Sequence, residues 1–447
     1  MTFLKASPFA PKYRGHRWVG GALPTDICDW PESLPVSMSA TAGDWPVPSA
    51  DEIRDYAADK LWVWPSRTHL FLTDLHADAD AMARSLVLSG GIEKTGPGET
   101  DLTLTPMGRD AKFVIGGDCF DKGPANLGLL RALRHVIDLG ADTTLLAGNH
   151  DIRTWIGLVC AGQDDPRHAH LFARMGKKTV PLFNEIYREY VAGGRGAKRV
   201  READARALLL PNDSWYRDFP AAVSDILSEE KIAKEIKRIR EKAADVEAAC
   251  HKFGLTFATL FQALEMARRL FVAPDGEFAW FFRELTLAYR AGSFLMVHAG
   301  VDDEFAHALR RRGVAGVNAD FARALNGDLF SLYNGSLGNA FRTKYRPTNP
   351  AFTETGLADM HASGIYAVIH GHRSSIAGQQ ITLRNGMLNF ECDASVDAGT
   401  RANFALNGPG GAATIVDPDA RILGISTDYP LIKTFDATKF CGLTTIA

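Results

Sequence analysis

Lys112-Phe113-Val114-Ile115-Gly116-Gly117-Asp118-Cys119-Phe120-Asp121-Lys122-Gly123 is the stretch whose reading decides the fold. Lys112–Ile115 is too short for an ordinary helix and has β-type composition, so it reads as a buried strand. It ends in a burst of glycines and charged residues. In layered α/β proteins, ligand sites lie beyond the carboxyl ends of strands. The same grammar recurs along the chain. His69–Thr73, Thr143–Leu146, Ser293–Val297, Tyr366–Ile369 and Met387–Phe390 are further short apolar runs, each followed by polar residues. One shared site assembled from distant segments is the expectation.

Between these strands, Pro124–Leu139 reads as a helix, with Leu127, Leu130, Leu133 and Ile137 at helical spacing and Gly140 at its stop. Residues 152–275 break the strand rhythm. Within them Ser228–Gly254 reads as a long helix, because Ile232, Ile236, Ile239, Ala243, Val246, Cys250 and Phe253 alternate steps of four and three. Glu229 and Glu230 at its start and Gly254 at its end suit the helix dipole and capping rules. Phe257–Leu270 reads as a second helix that packs back on the first as an antiparallel hairpin. The organisation expected is therefore an irregular lead-in over 1–67, a catalytic domain over 68–151 and 276–447, and a helical insertion over 152–275 that caps the site.

The chain has 447 residues, 46% of them hydrophobic and 23% charged, the mix of a globular protein. Its net charge of −3 gives no general pull toward nucleic acid or an anionic membrane, so any preference for anions must be local. No stretch is apolar enough to span a bilayer, and the first residues lack a signal-peptide pattern. The six cysteines are scattered without paired spacing, which fits reduced thiols and a cytoplasmic location.

Five segments carry the chemistry: Thr73-Asp74-Leu75-His76, Gly117–Gly123, Gly148-Asn149-His150-Asp151, Val297-His298-Ala299-Gly300 and His370-Gly371-His372-Arg373. Carboxylates and imidazoles suit borderline divalent metals, and a carboxylate can bridge two of them. Two metals roughly 3.5–4 Å apart can hold the attacking and leaving oxygens of a phosphoryl group. Turn and capping duty at strand ends would explain each Asp or Asn singly. It does not require the histidines His76, His298 and His372 among them.

Found together and in order, the five segments resemble the bacterial branch of the phosphoprotein phosphatase group of calcineurin-like metallophosphoesterases. The likeness runs over roughly Thr68–Ser395 and skips the insertion. It implies a four-layer α-β-β-α sandwich of two mixed sheets. It implies two divalent ions (Mn, Fe or Zn), with Asp74 and His76 on the first, Asp118 bridging, and Asn149, His298 and His372 on the second. A hydroxide shared by the metals would attack phosphorus in line. His150 would be the general acid, oriented by Asp121. Lys122 would bind a phosphate oxygen, with Arg342 or else Arg346 as the second clamp. His370 and Arg373 flank His372 without an assigned role. The chain departs from the pattern at Thr73 and Ala77, where glycines are usual, at Lys122, where arginine is commoner, and at Asp151, where glutamate is commoner.

The function so implied is hydrolysis of a phosphomonoester, on a phosphoprotein or a small phosphorylated metabolite. A dinucleoside polyphosphate or phosphodiester substrate is the alternative, and a non-catalytic phosphatase-like scaffold is a third reading. The ligands are all retained, which argues against the scaffold. The basic residues Arg195, Lys198, Arg199 and Arg201, and Lys177 with Lys178, read as solvated faces. Asp78 and Asp80 read as helix caps.

Overall fold

The computed structural model describes residues 10–20, 23–30, 47–193, 200–441 and 445–446. Arg195, Lys198 and Arg199 therefore lie outside the described residues. The strands that matter are β1 (Ile27–Asp29), β2 (His69–Leu72), β3 (Lys112–Ile115), β4 (Asp142–Leu146), β5 (Leu285–Thr286), β6 (Ala288–Ala291), β7 (Phe294–Val297), β8 (Ala367–His370), β9 (Gln380–Arg384), β10 (Met387–Glu391), β11 (Ala412–Asp417), β12 (Arg421–Ser426) and β13 (Ile432–Asp436). They form an eight-stranded sheet ordered β1-β13-β12-β11-β2-β3-β4-β5 and a five-stranded sheet ordered β9-β10-β8-β7-β6.

Both sheets are mixed. In the first, β2, β3, β4 and β5 run parallel, with Leu72 opposite Ile115, while β11 joins β2 antiparallel. In the second, β7, β8 and β10 are parallel, flanked by antiparallel β6 and β9. Alternate residues of each strand face opposite ways. Phe71, Val114 and Leu146 from the first sheet pack with Phe294, Met296, Ile369, Leu388 and Phe390 from the second in one core between the sheets. Leu70, Leu72, Phe113 and Ile115 face the other way, into a helix-covered core shared with α1 (Ala79–Leu88) and α2 (Asn126–Asp138). Burial on both faces explains why these strands read as continuous apolar runs. The outcome is the α-β-β-α sandwich expected.

The helical region begins earlier than expected. Helix α3 (Asn149–Cys160) starts inside the third motif and runs without a break past residue 151. After it come α4 (Leu171–Met175), α5 (Val180–Ile186), α6 (Glu202–Leu209), α7 (Asp213–Val223), α8 (Glu229–Phe253) and α9 (Phe257–Phe271). Ser228 caps α8 by accepting from the Lys231 amide, and Gly254 ends it with φ 67°. The seam residues Ile232, Ile239, Val246 and Cys250 are buried, but Phe253 is exposed. The expected α8–α9 hairpin is not formed. Helix α8 packs on α4, on α5 and on the turn at Gly176–Thr179, whereas α9 packs on α5 and α6. Both long helices find their apolar partners among the short helices that the composition did not reveal.

The lead-in is less irregular than expected. Helix Ala50–Ala57 carries a capping box in which Ser49 and Glu52 bond reciprocally, and β1 pairs parallel with β13 at the edge of the large sheet. The strands β11 to β13 form an antiparallel meander that the sequence reading did not identify.

Candidate metal centre

The five motif segments meet where the parallel strands of both sheets end. Their loops are tied backbone to backbone. Asp74 N donates to Gly117 O at 3.0 Å, His76 N to Asp118 O at 2.8 Å, and Gly371 N to His298 O at 2.9 Å. Asp74, His76, Ala77, Asp118, Asp121, Lys122 and His372 all have φ between 43° and 69°. Non-glycine residues rarely adopt that region, and such strain persists only where the surroundings hold it. Close approach also needs glycine at two points. A Cβ on Gly148 would lie 2.1 Å from Asp118 N, and one on Gly371 would lie 2.1 Å from Asp74 Oδ2.

Asp118 Oδ2 is the hub. It lies 3.4 Å from His298 Nε2, 3.7 Å from His76 Nε2 and 3.9 Å from His150 Nε2. Asp74 Oδ1 is 3.7 Å from His76 Nε2, while Asp74 Oδ2 accepts from the Thr73 hydroxyl at 2.7 Å and from His372 N at 2.9 Å. Two donor groups can each hold a cation: His76, Asp118 and His150, and Asp118, His298 and His372. The first contains His150, which the sequence reading placed as a proton donor rather than a ligand.

The donors are prepared for a cation. His76 Nδ1 bonds Phe120 O at 3.1 Å, and His298 Nδ1 bonds Gly116 O at 2.8 Å. A carbonyl partner requires a proton on Nδ1, so Nε2 is the nitrogen each ring offers to the cluster, where a metal would displace the Lys122 contact at His76 and the proton that Asp118 favours on His298. Asn149 Oδ1, His298 Nε2 and His372 Nε2 are buried with no hydrogen-bond partner among the described residues. Buried polar atoms are normally satisfied, so the orphaned nitrogens of His298 and His372, which share one donor group, fit a metal site. The Lys122 ammonium lies 2.5 Å from His76 Nε2, a cation at a ligand nitrogen. Burial works against a charged His298, yet Asp118 and Asp74 outweigh it and lift the imidazole to about 10. The residues present therefore fit divalent metal.

The remaining assigned residues divide. His150 Nδ1 is 2.7 Å from Asp121 Oδ2. Burial pushes Asp121 up to about 7, and burial holds His150 well below its ordinary value. Arg342 is half-buried against the Tyr333 ring, 5.0 Å from its centre, one layer out from the hub. Arg346 is exposed, and its amide bonds Asn349. His370 is buried, with Nδ1 on Gly371 O at 2.9 Å, and stands outside both donor groups. Arg373 pairs with Glu391 at 3.5 Å. Asp78 caps α1 through the Ala81 amide, and Asp80 does not.

Four contributors had no role assigned by the sequence reading. Asp151 accepts from the amides of Asp118, Cys119 and Gly148, all at 2.8 Å. Asp393, buried after β10, accepts from Ser374 and Ser395, and its charge helps raise Asp74, which burial raises first. The rule of polar residues after a strand would have found it. Arg153 lies three residues beyond His150 on α3 and acts electrostatically on Asp118 and Asp121. Lys344 acts on Asp74 and Asp393 from the segment that holds Arg342.

Fold and site together define a two-sheet α/β sandwich with an Asp, His and Asn cluster suited to divalent metal at its strand ends. No family model matches the chain, and no curated protein matches it. Among solved structures it is similar to a cold-active protein-tyrosine phosphatase of a psychrophilic Shewanella species, at 15% identity and a TM-score of 0.43, over 90% of both chains. It is also similar to a protein serine/threonine phosphatase of Saccharomyces cerevisiae, at 13% identity and a TM-score of 0.33, over 87% of both chains. Likeness at these levels carries no argument about function.

Proposed function

We propose that the protein is a metal-dependent phosphoester hydrolase acting on a phosphomonoester. The observation that carries this reading is the convergence of three imidazole Nε2 atoms within 3.9 Å of one buried carboxylate oxygen, Asp118 Oδ2, with ligands drawn from both sheets. Two divalent cations, Mn, Fe or Zn, would supply Lewis acidity to a phosphoryl oxygen and a water acidic enough to ionise near neutral pH. Asp74, His76 and Asp118 would hold one, and Asp118, Asn149, His298 and His372 the other.

His150 Nδ1 and Asp121 Oδ2 lie 2.7 Å apart, and Asp121 is raised to about 7, so near neutrality the Asp121 carboxyl can hold a proton against Nδ1 while the ring's own proton is on Nε2. As Nε2 gives its proton to the leaving oxygen, Nδ1 takes the one from Asp121, which is left as a carboxylate. Lys122 holds a phosphate oxygen, and Arg342 is its guanidinium partner in preference to exposed Arg346. Among the described residues no helix is long and apolar enough to cross a membrane.

The test is a substrate panel with purified protein loaded with Mn²⁺. Release of p-nitrophenol from p-nitrophenyl phosphate but not from its bis-ester supports the monoesterase. Cleavage of the bis-ester or a dinucleoside polyphosphate alone replaces it with the diesterase. Inertness toward every ester, with Mn²⁺ and Zn²⁺ both supplied, sinks the enzyme reading.

A further inference from the structure

A second cluster stands beside the metal centre, and the phosphoester reading uses only its Arg342. Tyr333, on the short helix Leu329–Asn334, is buried among three guanidiniums. Arg153 Nε donates to its hydroxyl at 3.3 Å. Arg342 and Arg174 lie over its ring, at 5.0 and 5.7 Å from the centre. The three come from α3, from α4 and from the segment after helix Ser336–Ala340, so the cluster exists only where the insertion meets the catalytic sheets.

The charges do not balance. Arg174 is neutralised by Glu235 on α8 at 2.6 Å. Among the described residues neither Arg153 nor Arg342 forms an ion pair with a carboxylate, and Arg342 Nε is buried without a hydrogen-bond partner. Tyr333 is shared by both, so at most one negative charge there faces two guanidiniums. Leaving buried positive charge in excess is costly, and a guanidinium fork matches a phosphoryl group in shape as well as charge. The cluster is also within reach of substrate. Arg153 stands one turn beyond His150 on α3, about 5 Å along the axis, on the same helix face. Its charge is felt by Asp118 and Asp121. Lys178, in the turn at Gly176–Thr179, also acts on Asp121.

We propose that Arg153 and Arg342 form a second anion subsite beside the metal centre, so that the substrate carries a second phosphoryl group a few bonds from the one that is cleaved. This rests on the phosphoester reading for its substrate class, but its binding test does not need turnover. Arg342 would then span the two anions, and the insertion, through α4 and α8, would set the subsite's position by fixing Arg174 and Tyr333.

The test is calorimetric titration of metal-loaded protein with three non-hydrolysable probes: propylphosphonate, propane-1,3-bisphosphonate and 3-phosphonopropionate. The bisphosphonate should bind at least about tenfold more tightly than the monophosphonate. Arg153→Met should bring that ratio close to one, and Arg153→Lys, which keeps charge but not the fork, should restore part of it. Melting curves show whether each variant is folded, and Arg342→Met serves if Arg153→Met is not. Equal binding of the mono- and bisphosphonate by the unaltered protein overturns the subsite, as does a ratio untouched in both Met variants. A carboxylate probe as tight as the bisphosphonate overturns the phosphoryl assignment. Failure of the phosphoester reading would show separately, as absent turnover with the binding advantage intact.

Discussion

The Asp151 carboxylate accepts the backbone amide of Asp118 at 2.8 Å, and so fixes the loop that carries the hub of the metal centre. It also takes the amides of Cys119 and Gly148, bonding the second motif to the third. Asp118 itself returns a bond, its Oδ1 accepting from His150 N at 2.8 Å. The loop adopts left-handed backbone at Asp118, and these bonds offset that strain.

Asp151→Ala should therefore destabilise the fold by about 2–4 kcal/mol, because three buried amides lose a charged acceptor. Urea unfolding measures it. Unchanged stability would mean that water replaces the carboxylate fully.

Removing metal should lower the melting temperature. A ligand held at a hundred times its dissociation constant stabilises the native state by about 2.7 kcal/mol. Adding a chelator to Mn-loaded protein should reverse that gain. Asp118→Asn, His298→Ala and His372→Ala should each lose the metal response, with metal content read by elemental analysis. A chelator-insensitive melting curve in protein that contains no stoichiometric metal would contradict the site.

His150→Ala should cut turnover by about 10²–10⁴ while metal content stays near the unaltered value. His150 belongs to one of the two donor groups by distance, so the measurement separates two roles. Loss of metal together with activity makes it a ligand, with Asp121 orienting it as such.

Tyr333 should ionise far below an ordinary tyrosine. Burial opposes the phenolate, but Arg153, Arg174 and Arg342 outweigh it and bring the value down to about 7. The native value is lower than the unfolded one, so the contribution to stability is full above the unfolded value near 10 and is lost as pH falls through about 7. Ultraviolet absorbance should show one tyrosinate appearing near pH 7. Tyr333→Phe should remove that step, and Arg153→Met should shift it upward. A titration with no ionisation below pH 9 would contradict the cluster.

Much of the frame was legible from the chain alone. The expected Lys112–Ile115 strand matches β3, and five other expected runs fall on β2, β4, β7, β8 and β10. Buried parallel strands are apolar on both faces, so they stand out as short unbroken runs. The metal-ligating types were legible for a related reason. A strand end presents only a few residues to a shared site, so donors cluster in short contiguous motifs such as Gly148-Asn149-His150-Asp151. The meander β11–β13 was missed although Asp417-Pro418-Asp419 marks its first turn.

The sequence by itself determined the short buried strands that lead to the site, the long helix α8 with its caps, and the residue types gathered at the strand ends, because each is written in local spacing and composition. Only the tertiary structure decided the partners of α8 and α9, the three amides held by Asp151, and the meeting of Arg153, Arg174, Tyr333 and Arg342. Those residues are separated by up to 189 positions, 342 less 153, and no local pattern links them. Which side chains face each other across such a gap is set by how whole helices pack, and packing depends on every surface involved rather than on any one segment.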